Sequence, residues 1–204
     1  MNWYAYMNKM ASAPQQLFHG TTAKDGQAIQ VAGFLRSRGT AVGNWSSGLF
    51  GGNPSNPNLV YACTDRKTAI GYAEQICLKA RTKNAALVTL LPDWKFAVPD
   101  EDVVFEIINS QAPVSSSLAN KIWTAYAQQQ EFESASEAYN FWHNPPEEMD
   151  EVSDSDLAGR MKDLAEKLPQ ILSSTEMISL TANMMTVAFS KPLQVVNVEY
   201  FKIA

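Results

Sequence analysis

The chain has 204 residues, of which 46% are hydrophobic and 18% charged, with five Trp, seven Tyr and nine Phe; this payload excludes a disordered chain and predicts one domain with a full core. The net charge of −5 conceals an asymmetry, since residues 1–130 hold 11 Lys/Arg against 8 Asp/Glu and residues 131–204 hold 5 against 13. An anionic ligand is therefore better received by the first part.

From the N-terminus, "MNWYAYMNKM" lacks the basic segment followed by an apolar one that marks an export signal. No apolar run approaches the roughly 20 residues of a spanning helix, so the expectation is a cytoplasmic protein without a membrane partner. Residues 16–19 read as a short strand ending at His19, one of two histidines in the chain. Thr21 or Thr22 then caps a helix carrying Ala28, Val31 and Ala32, and Gly33 stops it before Phe34 and Leu35. Residues 36–58, rich in Gly, Ser, Asn and Pro, form a long loop of the kind that often binds ligands. "LVYACT" is a strand containing Tyr61, and Thr64-Asp65 signals the start of a helix over about 65–80. There Ala69, Tyr72, Ala73, Ile76 and Cys77 make an apolar stripe.

"AALVTLL" is the next strand, followed by a Pro-Asp-Trp turn, and the alternation in "DVVFEII" predicts a further one. From residue 113 the texture becomes helical. Ser134 and Glu137 form a capping box, a helix near 154–168 ends before Pro169, and another spans about 174–185. Residues 132–156 contain no Lys or Arg, which reads as a solvated acidic face. "VAF" and "LQVVNVEYFKI" close the chain as strands. Cys63 and Cys77 are too far apart in sequence for a metal knuckle and fall at buried positions, which predicts two free core thiols and no metal.

The order is thus a strand with His-Gly-Thr, a helix, a glycine-rich loop, a strand with Tyr61 and a helix with Tyr72. It resembles the ADP-ribosyltransferase family in its poly-ADP-ribose-polymerase-like, His-Tyr-Glu branch. The resemblance rests on "FHGT" at 18–21, "IQVAGF" at 29–34, "GLFGG" at 48–52 and "VYACTDRKTAIGYA" at 60–73, about a quarter of the chain. It implies an α+β fold with a split β-sheet core around an NAD cleft, 1–204 forming one domain and 113–180 a helical acidic insertion. It also implies roles: His19 donates a hydrogen bond to a ribose hydroxyl, Thr21 lies beside that ribose, the Gly20 backbone pairs with the nicotinamide carboxamide, and Tyr61 and Tyr72 bracket the nicotinamide ring. A glycine permits close approach of a planar amide, and aromatic faces stack on a cationic ring. Arg36 and Arg38 are candidates for the NAD pyrophosphate.

The family completes its set with a glutamate at the start of a late strand, where it stabilises the oxocarbenium-like charge of the departing nicotinamide step. Two alignments supply that position. In one, Glu101 precedes the strand "DVVFEII", with Glu106 five residues on. In the other, the last two strands lie in "NMMTVAFSKPLQVVNVEYFKI" and Met184 or Met185 stands in the acid's place, which leaves the site without one. Glu101 is the preferred acid, beside His19 and Tyr61 as catalytic residues. The implied activity is mono-ADP-ribosyl transfer from NAD, as co-substrate, to a macromolecule, protein rather than nucleic acid. Toxins, phage host-takeover factors and conflict-system effectors use such small transferases, so the cytoplasm in question is a host cell's on that analogy. The rivals are NAD hydrolysis, RNA 2′-phosphate removal, a catalytically reduced NAD-binding module, and an interaction protein acting through its acidic helices.

Overall fold

The computed structural model describes residues 14–37, 56–99, 101–110, 116–144, 154–182 and 186–203. The "GLFGG" motif, Arg38, Met184 and Met185 lie outside them, and for Glu101 and Glu106 the description extends to the backbone alone. Strand β1 (Leu17–Thr22) continues three residues past His19, so the histidine sits in mid-strand rather than at its end. Helix α1 (Ala23–Ala32) begins on Thr22, whose hydroxyl accepts from the Asp25 N–H at 3.2 Å and donates to Asp25 Oδ2 at 2.8 Å. This satisfies one of the orphan donors of the first turn. Gly33 closes the helix at φ 73°, a left-handed cap that favours glycine.

The remaining strands are β2 (Phe34–Leu35), β3 (Val60–Cys63), β4 (Asn84–Leu91), β5 (Ala97–Val98), β6 (Thr186–Phe189) and β7 (Leu193–Lys202). Helix α2 (Arg66–Lys79) starts on Asp65, whose carboxylate accepts from the Thr68 N–H. All seven strands form one antiparallel sheet in the order β2-β7-β4-β1-β3-β6-β5. The α+β class holds, but in place of the split sheet that the resemblance implies there is one seven-stranded sheet. Its join is narrow: β1 pairs with β4 along its whole length, from Leu17–Leu90 to Thr22–Ala85, whereas β1 and β3 share one register pair, Phe18–Cys63.

Side chains alternate across the strands. Leu17, Ala86, Val88 and Leu90 face the main core, while Phe18, Cys63 and Leu87 face the opposite side, under α2. Helix α1 lies over the first face, where a Cβ on Gly26 would come within 2.4 Å of the Ala86 Cβ. Both cysteines are free and buried, and burial, with the nearby Asp25 charge, pushes the Cys77 thiol above its ordinary range. This suits inert core thiols.

"DVVFEII" is helical, not a strand: α3 spans Glu101–Ser110. Val104, Ile107 and Ile108 are buried in the main core at i, i+3, i+4 spacing, and the acids at its start suit a helix N-terminus. The β-branched residues read as an alternating strand because a short apolar run satisfies both periods, and tertiary burial decides between them. Helices α4 (Ser116–Gln129), α5 (Ala135–His143), α6 (Asp154–Lys167) and α7 (Ser174–Ala182) follow. The helical segment therefore starts at 101 rather than 113. It leaves after β5 and returns into β6, which pairs with β5 through Ala97–Phe189, and Leu118, Ile122, Met161 and Leu180 join Val88 and Phe189 in one core. The expected pair Ser134 and Glu137 caps α5 in a shifted form. The Ser134 hydroxyl accepts from the Glu137 N–H while Glu137 accepts from the Glu133 N–H, one residue before the cap; before α7 the pair is reciprocal, the Ser173 hydroxyl accepting from the Glu176 N–H and Glu176 from the Ser173 N–H. Among the described residues, no helix is long and apolar enough to cross a membrane.

Candidate functional site

Where β1 and β3 part, a cleft of about 380 Å³ opens on the α1 side of the sheet. Its wall from β1 is His19 and Thr21, whose register partners Val88 and Ala86 place them on the core-facing side. The α1 wall is the stripe Asp25, Ala28, Ile29 and Ala32, at the spacing of one helical face. Phe34, Arg36, Asn56 and Tyr61 complete the rim. Small side chains on α1 keep the cleft open, and Arg36 supplies a cation beside it, in the part of the chain expected to receive an anion.

His19 spans the gap. Its Nδ1 lies 3.1 Å from the Tyr61 carbonyl oxygen. A carbonyl only accepts, so Nδ1 carries the proton in this bond, and Nε2 of the neutral ring is then an acceptor. Nε2 of a neutral His19 can therefore only accept, and the donation to a ribose hydroxyl that the resemblance implies requires the imidazolium. The Tyr61 hydroxyl in turn accepts from the Asn56 N–H at 3.0 Å, which fixes the phenol at the cleft mouth.

Gly20 and Tyr72 lie elsewhere. Gly20 pairs with Leu87 on the face under α2, and a Cβ there would stand 1.8 Å from the Ala69 carbonyl oxygen. The glycine is thus required for the close approach of α2 to β1, a reason the sequence motif does not reveal. Tyr72, on α2, packs with Phe18, Cys63 and Leu87 and is half-buried; it does not line the cleft. The structure brings His19, Thr21 and Tyr61 together and sets Gly20 and Tyr72 on the other side of the parting. The register of β1 with β3 ends at Phe18–Cys63, while its register with β4 runs on to Thr22–Ala85.

Glu101 is the first residue of α3 rather than the residue before a strand, which removes the local pattern that singled it out. The strand beside β3 is β6, with Ala188 opposite Tyr61 and Thr186 opposite Cys63; the alignment that places the acid's position at Met184 or Met185 uses this strand. His143 belongs to the helical segment, its ring 4.4 Å from Tyr139 and 6.0 Å from Trp123 between centroids, and is not part of the cleft.

Two cleft residues escaped the sequence reading. Asp25 is the single carboxylate among the described lining residues, and the Thr-x-x-Asp spacing after His-Gly-Thr was its available signal. Asn56 had only the turn chemistry of Asn-Pro-Asn. Among the described residues no cluster of His, Cys, Asp and Glu is arranged to hold a metal ion. No family model, curated protein or solved structure matches the chain.

Proposed function

We propose that the chain binds NAD and transfers one ADP-ribose unit from it to a macromolecular acceptor, releasing nicotinamide. The observation that carries this reading is the cleft at the parting of β1 and β3, with the imidazole of His19 bridging to the Tyr61 backbone and Thr21 beside it. In this reading the ribose meets His19 and Thr21, the pyrophosphate Arg36, and the nicotinamide the ring of Tyr61, all of which line the cleft, while Gly20 and Tyr72, on the face covered by α2, do not touch it. In the reaction the glycosidic bond from ribose C1′ to the nicotinamide nitrogen breaks, nicotinamide leaves with the electron pair, and the acceptor nucleophile bonds to C1′ and gives up its proton. The net charge of −5 favours a protein acceptor over a nucleic acid, whose phosphates it repels.

A second reading, NAD binding without turnover, is favoured by one observation: β6 is the strand beside β3, and the sequence before it is Met184-Met185 rather than an acid. Mass spectrometry of cell extract incubated with the protein and labelled NAD separates the two. Labelled protein adducts with free nicotinamide establish the transferase; no adduct and no nicotinamide, with NAD still bound, establish the binding module. If adducts form, Glu101→Gln should lower the rate about a hundredfold if Glu101 is the acid, and a wild-type rate removes it from the site.

A further inference from the structure

Glu166, in the helical segment between β5 and β6, is tied to the cleft by hydrogen bonds that run in series. Glu166, exposed on α6, accepts from Asn56 Nδ2 at 2.6 Å across 110 residues of sequence. Asn56 is engaged at every polar group. Its N–H donates to the Tyr61 hydroxyl at 3.0 Å, its Oδ1 accepts from the Asn58 N–H at 2.9 Å, and its carbonyl accepts from the Leu59 N–H at 3.2 Å. The last two bonds close a tight turn, so the Asn56 amide group and backbone move as one body. A pull on Nδ2 is therefore felt at the backbone N–H that holds the Tyr61 phenol. Tyr61 and Asn56 both line the cleft, and Glu166 does not.

We propose that Glu166 is a positioning residue for the cleft, acting through Asn56 to set the Tyr61 phenol, and that the helical segment thereby sets ligand affinity without touching ligand. For the ligand, the inference rests on the NAD reading above; the relay itself does not. Either oxygen-bearing side chain at 166 can accept from the Asn56 amide, so Gln serves in place of Glu and Ala does not. Residues along such a chain typically change affinity severalfold rather than abolishing it.

Two measurements on the full chain test this. The first is amide hydrogen exchange at Asn56 by NMR: Glu166→Ala should speed exchange of the Asn56 amide about tenfold, Glu166→Gln should restore protection, and Tyr61→Phe should speed it as well. Unchanged exchange in a folded Glu166→Ala protein overturns the relay. The second is calorimetric titration with NAD. Glu166→Ala should weaken binding by about three- to tenfold, and in a Tyr61→Phe background the same substitution should cost less than about twofold, because its route is already cut. An equal loss in both backgrounds assigns Glu166 a merely structural role and overturns the proposal. If the wild type binds no NAD, the NAD reading fails, and the exchange result alone then decides the relay.

Discussion

Replacing Gly20 by alanine places a methyl group between two backbones. The added Cβ would stand 1.8 Å from the Ala69 oxygen, 2.8 Å from the Ala73 nitrogen and 2.9 Å from the Ala69 carbonyl carbon. No rotamer change relieves this, because every atom it meets is main chain; α2 must retreat by more than an ångström or β1 must bend. Ala69, Ala73 and Cys77, all at 0% exposure, anchor α2 to the sheet, so a retreat opens gaps along the whole contact. Ordinary overpacking costs about 1–3 kcal/mol, and with backbone on both sides Gly20→Ala should lose at least about 3 kcal/mol. Gly71→Ala is the control on the same helix. A Cβ there has nothing within 4 Å, so it should gain about 0.5–1 kcal/mol from helix propensity alone. Urea unfolding with linear extrapolation measures both. A Gly20→Ala protein within about 1 kcal/mol of wild type, or one no less stable than Gly71→Ala, would refute the packing account of this glycine.

Thr22→Ala removes the cap of α1 and should cost about 1 kcal/mol; thermal melting reads it, and an unchanged midpoint counts against the cap. Glu176 is held at a pKa of about 2, below its ordinary 4.5, by hydrogen bonds from Lys121 and from Ser173. A depressed carboxylate stabilises above its unfolded pKa and loses that contribution as pH falls through its folded one. Glu176→Gln should therefore be less stable than wild type at pH 7, with the gap closing between about pH 4.5 and pH 2; a pH-independent gap in denaturant titrations contradicts this. Asp25→Asn keeps the bonds to Thr22 and removes the single described carboxylate of the cleft. It should leave the melting midpoint within about 2 °C and strengthen binding of inorganic pyrophosphate in a calorimetric competition, by relieving like-charge repulsion.

Much of the frame was legible because it is local. Thr22, Gly33 and Asp65 announce helix ends through side-chain and backbone chemistry that depends on near neighbours, and the structure puts them where that chemistry requires. The seven residues of "DVVFEII" were misread because nothing local distinguishes a helix that buries Val104, Ile107 and Ile108 from a strand that buries alternate positions; the partner surface decides. The candidate site divides in the same way. His19, Thr21 and Tyr61 line one cleft. The requirement for Gly20 comes from a helix fifty residues further along the chain, and the tie from Glu166 to Asn56 crosses 110 residues. Neither leaves a mark in the sequence around the residues concerned. Gly20 reaches the far face through strand register and Tyr72 through the side of the sheet on which α2 packs, and a motif encodes neither.

The central claim is that the cleft between β1 and β3 receives NAD against Tyr61. Calorimetric titration of NAD into the wild type and into Tyr61→Ala, with folding of both checked by circular dichroism, tests it most directly. The account predicts saturable one-site binding to the wild type and a loss of about 1–3 kcal/mol on removal of the ring, the scale of base–aromatic stacking. Equal NAD affinity in the two folded proteins, or no binding to the wild type, would contradict it.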